Sequence, residues 1–142
     1  MKVLVSACLT GKNCKYNGSN NYDPELMKFL EGKEVIEICP EVLAGLPTPR
    51  PPAELSDGVV MSIDGKNVDQ EYRRGVELSL QKIRNMDIDL VILQSRSPTC
   101  GVDQIYDGSF TDRLIDGQGL FAQALIESGY QVIDIASLNH HK

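Results

Sequence analysis

The sequence predicts an α/β fold, a single-domain open three-layer sandwich around a mostly parallel sheet, and three observations carry that prediction. Four short runs rich in Val, Ile and Leu, at Val3 to Val5, Val35 to Ile38, Leu90 to Leu93 and Val132 to Ile135, have the near-continuous apolar character of strands buried on both faces. Segments with helical spacing lie between them, and strand alternating with helix favours a parallel, Rossmann-like sheet. At 142 residues the chain suits one domain, 1–142, which buries about two-thirds of its unfolded surface and forms a core without disulfide staples.

The first strand stops at Ser6 and runs into SACLTGKNCKYNG, residues 6–18, which sets Cys8 and Cys14 among turn formers. Asp23-Pro24-Glu25 then supplies an N-cap, a proline at the first helical position and an acid in the first turn, with Gly32 closing that helix. The second strand ends at Cys39. Residues 40–58, PEVLAGLPTPRPPAELSDG, hold five of the seven prolines and are expected to form neither regular helix nor central strand. A connection this long without structure of its own is usually functional, and it is expected to lie over the carboxyl ends of the strands. Val59 to Ile63, followed by Asp64-Gly65, reads as a small strand and tight turn, a flap.

Asn67 to Asn85 is a longer helix with Tyr72, Val76, Leu80 and Ile83 toward one side, weakened by Gly75. Cys100 lies a short turn beyond the third strand, in LQSRSPTCG. Leu120 to Glu127 forms the last helix, with Gly129 as its stop. Residues 138–142 read as a disordered tail that contains the two histidines, His140 and His141.

Composition removes several function classes. The net charge of −6, with Lys and Arg scattered, argues against a nucleic-acid polymer as partner but leaves a small base or nucleoside open. No run approaches the roughly 20 apolar residues of a membrane span, so no membrane partner is expected. Met1-Lys2 leads into an apolar stretch that ends at Ser6, too short for a signal peptide; the expected location is cytoplasmic, where thiols stay reduced. With histidine confined to the tail, a Ser-His or Cys-His nucleophile pair and a histidine-rich zinc site both lack their histidine.

Cys8, Cys39 and Cys100 each follow a strand, and in parallel α/β sheets ligands bind beyond the carboxyl ends, where strand order reverses. Three thiols from separate strands are therefore expected to face one place. Packing is the alternative for each cysteine singly, since free cysteine is among the most buried residue types. A phosphate loop with a cysteine nucleophile needs an arginine six positions on, and position 14 is cysteine. A thioredoxin-like pair needs Cys-x-x-Cys, which is absent. Zinc with three thiolates and a fourth ligand remains possible; an iron–sulfur cluster held by three cysteines, leaving one iron open, is the better match. Glu41 and Ser97 are the nearby candidates for moving protons or orienting water, against readings as a capping acid and a turn hydroxyl. Arg50 and Glu54 either pair to stiffen the proline loop or present charge to a ligand.

Taken together, VSACLTGKNCKYNG, CPEVLAGLPTPRPPAEL and SRSPTCG resemble the domain-of-unknown-function family 523, whose characterised members are thiouracil desulfidases, over about residues 2–137. The resemblance implies a [4Fe-4S] cluster on Cys8, Cys39 and Cys100, with the fourth iron free of protein ligands and prone to loss under oxygen. It implies non-redox hydrolytic desulfurization, with sulfur passing to that iron while water adds at carbon, Glu41 as acid/base and Ser97 as the nearby hydroxyl. Cys14 falls outside the implied ligand set, at a position where other members often carry a non-cysteine residue. The implied substrate is a small thiolated base such as thiouracil, with a thiolated nucleoside or another thioamide close behind. No sequence feature sets an oligomeric state. The competing reading is a cluster- or metal-binding protein for sensing or delivery, which needs an exposed site; Glu41, Ser97 and the proline-rich cover favour an enzyme.

Overall fold

The computed structural model describes residues 1–138; residues 139–142, with both histidines and all but the first position of the expected tail, lie outside the described residues. Leu138, counted in that tail, ends a helical turn instead. Strands β1 (Lys2–Ser6), β2 (Glu34–Ile38), β5 (Leu90–Leu93) and β8 (Val132–Asp134) form a wholly parallel sheet in the order β2-β1-β5-β8. Central β1 pairs Val3 with both Val35 and Leu90, and Leu4 with Ile36 and Val91.

Both faces of this sheet are covered, which is why its strands lack polar alternation. On one face Leu4, Val91 and Leu93 pack against Val76 and Ile83 of α3 (Asp69–Ile83) and Phe121 and Leu125 of α4 (Leu120–Glu127). On the other, Val3, Val5 and Ile92 meet Leu26 and Leu30 of α1 (Pro24–Leu30) and Ile135 of α5 (Ile135–Leu138). Three layers result, as expected. Leu4, Ile92, Leu93 and Phe121 are essentially inaccessible, and each such side chain contributes about 1.5–3 kcal/mol on burial. Among the described residues no helix is long and apolar enough to cross a membrane.

The proline-rich stretch differs from expectation because it carries structure at both ends. Pro40 opens a single helical turn, α2 (Pro40–Leu43), with Cys39 as N-cap; proline at that position loses an N–H that had no helical partner anyway. At the far end Ala53–Ser56 forms β3, paired antiparallel with β4 (Val59–Ser62) beyond the last prolines. Asp57 and Gly58, with φ of 50° and 79°, turn that hairpin, while Gly65 donates to the Ser62 carbonyl at 3.0 Å in the tight turn expected after β4. A further hairpin, β6 (Gln104–Tyr106) with β7 (Leu114–Asp116), has strands too short for any periodicity to betray. Ile135, assigned to the last strand from sequence, begins α5.

Gly75 has a packing reason. A Cβ there would lie 2.2 Å from the Pro40 carbonyl oxygen, so α2 rests directly on the backbone of α3. The connection from β1 passes to β2 on one side and later returns to β5 on the other. Strand order thus reverses at β1 and β5, and the turns carrying the three cysteines leave the sheet at this end.

Candidate active site

A cavity of about 600 Å³ opens at the carboxyl ends of β1, β2 and β5, lined by Cys8, Cys39, Cys100, Glu41 and Ser97, and by Cys14 as well. The structure therefore brings together every site residue expected from sequence and adds the fourth thiol. All four cysteines are free.

Cys8 sits in the 3-10 turn Ala7–Thr10 that continues β1, closed by Gly11 at φ 104°. Asn21 holds it twice: its backbone N–H donates to the Cys8 carbonyl at 2.9 Å and its Nδ2 to the sulfur at 3.5 Å. Hydrogen bonding from the Cys14 thiol draws the Cys8 thiol down to about 7, against the opposing effect of burial, with the Asn21 amide assisting. Cys14 moves the other way, far above the ordinary thiol range, because its S–H is committed to the Cys39 and Cys8 sulfurs. Cys100 is 6% exposed, and burial pushes its thiol well up, with the Glu41 charge adding to the effect.

Glu41 stands in the first turn of α2 but caps nothing. Its Oε2 accepts from the Cys39 thiol at 3.2 Å, and its Oε1 accepts from the Thr99 hydroxyl, which the loop after β5 supplies from full burial. Ser97 does serve as a turn hydroxyl: its Oγ accepts the backbone N–H of Thr99 at 3.2 Å and of Cys100 at 2.6 Å. Both lone pairs are used in this way, so the hydroxyl proton is left to donate into the cavity. The two readings of Ser97 are compatible.

Arg50 and Glu54 do not pair. Arg50 donates from Nη2 to the Cys14 carbonyl at 2.9 Å and from Nη1 to Thr48 Oγ1 at 3.1 Å and the Pro47 carbonyl at 3.3 Å. Glu54, 8% exposed, accepts at Oε1 from the N–H groups of Gly108 at 3.0 Å and Phe110 at 3.1 Å. The proline loop is thus stiffened by Arg50 and Glu54 acting on separate, mostly backbone partners, although Arg50 Nε is buried without a hydrogen-bond partner. Tyr72, from α3, lines the same cavity, its phenol pushed up to about 12 by burial and the Glu41 charge.

Sequence reasoning missed Asn21, Thr99, Tyr72 and Phe110. Thr99 lay inside the quoted SPTC motif, but its partner is 58 residues away in the chain. Nothing local announces that contact.

A thiol-floored cavity with a carboxylate at its wall, set where the order of a parallel sheet reverses, marks an α/β protein whose ligand site, by its place in the fold, is this cavity. The chain belongs to the 2-thiouracil desulfurase family, whose profile matches residues 3–136. It is 35% identical over 147 residues to the uncharacterized protein YbbK of Bacillus subtilis (strain 168), covering 96% of this chain and 97% of that protein. A solved structure described as [4Fe-4S]-dependent thiouracil desulfidase TudS (DUF523Vcz) superposes with a TM-score of 0.89 at 37% identity, over 98% of this chain and 93% of that one. The family resemblance and the α/β class read from sequence are both borne out.

Proposed function

We propose that this chain is a [4Fe-4S]-dependent desulfidase that replaces the sulfur of a thiolated pyrimidine, such as thiouracil, with oxygen from water, without net redox change. The observation that carries the reading is the arrival of Cys8, Cys39 and Cys100 in one cavity from three adjacent strand ends, with the Glu41 carboxylate held against Cys39. The donor set suits the cluster: three soft thiols ring a cavity, and an amide donor reaches the Cys8 sulfur, the kind of bond that tunes cluster potentials.

Cys8, Cys39 and Cys100 would hold the cluster, which would supply a Lewis-acidic iron suited to a soft C=S bond. The protein's own groups do the rest. Glu41 takes a proton from the attacking water and returns it to the departing sulfur or ring nitrogen, held ready by the Thr99 hydroxyl. Ser97 donates its free proton to the water or to a ring carbonyl. Four free thiols suit the reducing cytoplasm.

Iron and acid-labile sulfide in matched amounts, with a brown chromophore in protein handled without oxygen, are expected; colourless protein holding stoichiometric zinc overturns the reading. In Glu41→Gln, full cluster loading with turnover of 2-thiouracil lost by about a hundredfold or more is expected. Unchanged desulfurization would remove Glu41 from the chemistry. Cys14→Ser is expected to keep its cluster, and a variant unable to do so would make Cys14 a ligand.

A further inference from the structure

Among the described residues, four that are not glycine adopt left-handed backbone: Asp57, Arg96, Phe110 and Asp112. Asp57 belongs to the β3–β4 turn. The other three line the active cavity. Phe110, at φ 59°, is the one hardest to excuse, because a bulky aromatic gains nothing locally from this conformation whereas aspartate can bond its own backbone. Strain of this kind persists only where the surroundings impose it.

The surroundings do so through Glu54. Its buried carboxylate accepts from the N–H groups of Gly108 and Phe110, fixing the tip of the β6–β7 hairpin to β3. Gly108, at φ 95°, lies so close to that strand that a Cβ would sit 2.7 Å from the Leu55 carbonyl oxygen and 2.8 Å from the Ser56 Cβ. The Asp107 carboxylate accepts from the Ser109 N–H at 2.9 Å and holds the intervening residue. A buried charge, a glycine contact and a side-chain turn thus converge on a tip whose central residue is a strained phenylalanine in the cavity wall. Hairpin closure alone does not require an aromatic there.

The geometry points to Phe110 as the specificity-determining residue that stacks on the planar ring of the substrate, with Glu54 as its positioning residue. This inference rests on the desulfidase reading and deepens it: the site selects heteroaromatic thiones over acyclic ones, since a pyrimidine offers a full ring face for Phe110 to cover and thiourea only its small N–C(=S)–N plane.

The test uses cluster-loaded full-length protein, with binding of uracil and of thiourea measured by calorimetry beside the kinetics of 2-thiouracil. In Phe110→Gly, affinity for uracil falls about tenfold and KM for 2-thiouracil rises alike, with thiourea binding and iron content unchanged. Melting temperature holds or rises, because glycine adopts this conformation freely. Phe110→Tyr restores ring binding. Equal losses for uracil and thiourea, or a large drop in melting temperature with no change in uracil affinity, would make Phe110 a packing residue and overturn the inference. Wild-type protein that binds uracil and 2-thiouracil but releases no sulfide would sink the desulfidase reading and leave the stacking wall standing; wild-type protein that binds neither overturns both.

Discussion

The floor and the rim of the cavity are built by different means. On the floor Cys8 and Cys39 follow directly on paired strands and Cys100 sits in the loop beyond β5, where backbone rests on glycine. A Cβ at Gly75 would meet the Pro40 oxygen at 2.2 Å, one at Gly119 the Thr99 carbonyl carbon at 2.4 Å, and one at Gly101 the Gln104 oxygen at 2.7 Å. On the rim, two ionic side chains do the holding: Arg50 ties the proline loop to the Cys14 carbonyl, and Glu54 ties down the β6–β7 tip. The thiols are thus held close to the sheet by backbone packing. The rim is secured by a few side-chain bonds, so floor and rim are separable by mutation.

The largest effect is expected from Gly75→Ala. Alanine favours helix by about 1 kcal/mol, but overpacking against immovable backbone costs about 1–3 kcal/mol, and at 2.2 Å the upper end applies. α2 must shift and carry Cys39 and Glu41 with it. Melting temperature is expected to fall by about 5 °C and iron retention with it; a wild-type melt and full iron would mean that the two helices slide apart freely.

Thr99→Val ranks next and stays on the floor. Removing the hydroxyl leaves Glu41 Oε1 without its donor, a loss of about 1–3 kcal/mol that is read as a fall in kcat of about tenfold or more, with KM and iron content held. Thr99→Ser, which keeps the donor, is expected to recover most of the rate. Equal damage in both variants would assign Thr99 to packing.

On the rim, Arg50→Lys trades a rigid fork for a single point charge and loses bonds to Cys14, Pro47 and Thr48. About 1 kcal/mol of stability is lost, the 44–52 loop is cut faster by protease, and KM rises a few-fold while iron stays. Iron loss in this variant would couple rim to floor. The smallest effect concerns the thiols themselves. In reduced protein stripped of iron, Cys8 at about 7 is half thiolate near neutrality, so it is alkylated by iodoacetamide before Cys14 or Cys100, as peptide mass spectrometry would reveal. Cys14→Ala removes the donor and lets the Cys8 thiol climb back toward 9.0, slowing its alkylation at pH 7 several-fold; an unchanged rate would deny the Cys14 hydrogen bond.

Local physics made much of this protein legible before any coordinates. The Asp23 cap, whose side chain accepts from Leu26 N–H at 3.1 Å, and the bounds of α4 were readable because caps and helical spacing act within a few residues. Strands buried on both faces announced themselves by composition, and Cys8, Cys39 and Cys100 followed as neighbours at one sheet end because parallel topology leaves little choice. The proline stretch was misread where one rule masked another: proline forbids a helix interior yet suits a first turn, and α2 is hardly more than a first turn.

By itself, then, the sequence determined the layered α/β class, the strand and helix order and the three thiols at the strand ends, since each follows from periodicity, caps and turn residues acting over short spans. Only the tertiary structure decided that Glu41 meets Thr99 rather than a helix end, that Arg50 reaches Cys14 across 36 residues, and that Glu54 forces Phe110 into the cavity wall across 56. Those contacts join segments whose meeting depends on how every layer packs, and a buried charge takes whichever backbone donors or acceptors that packing brings within reach.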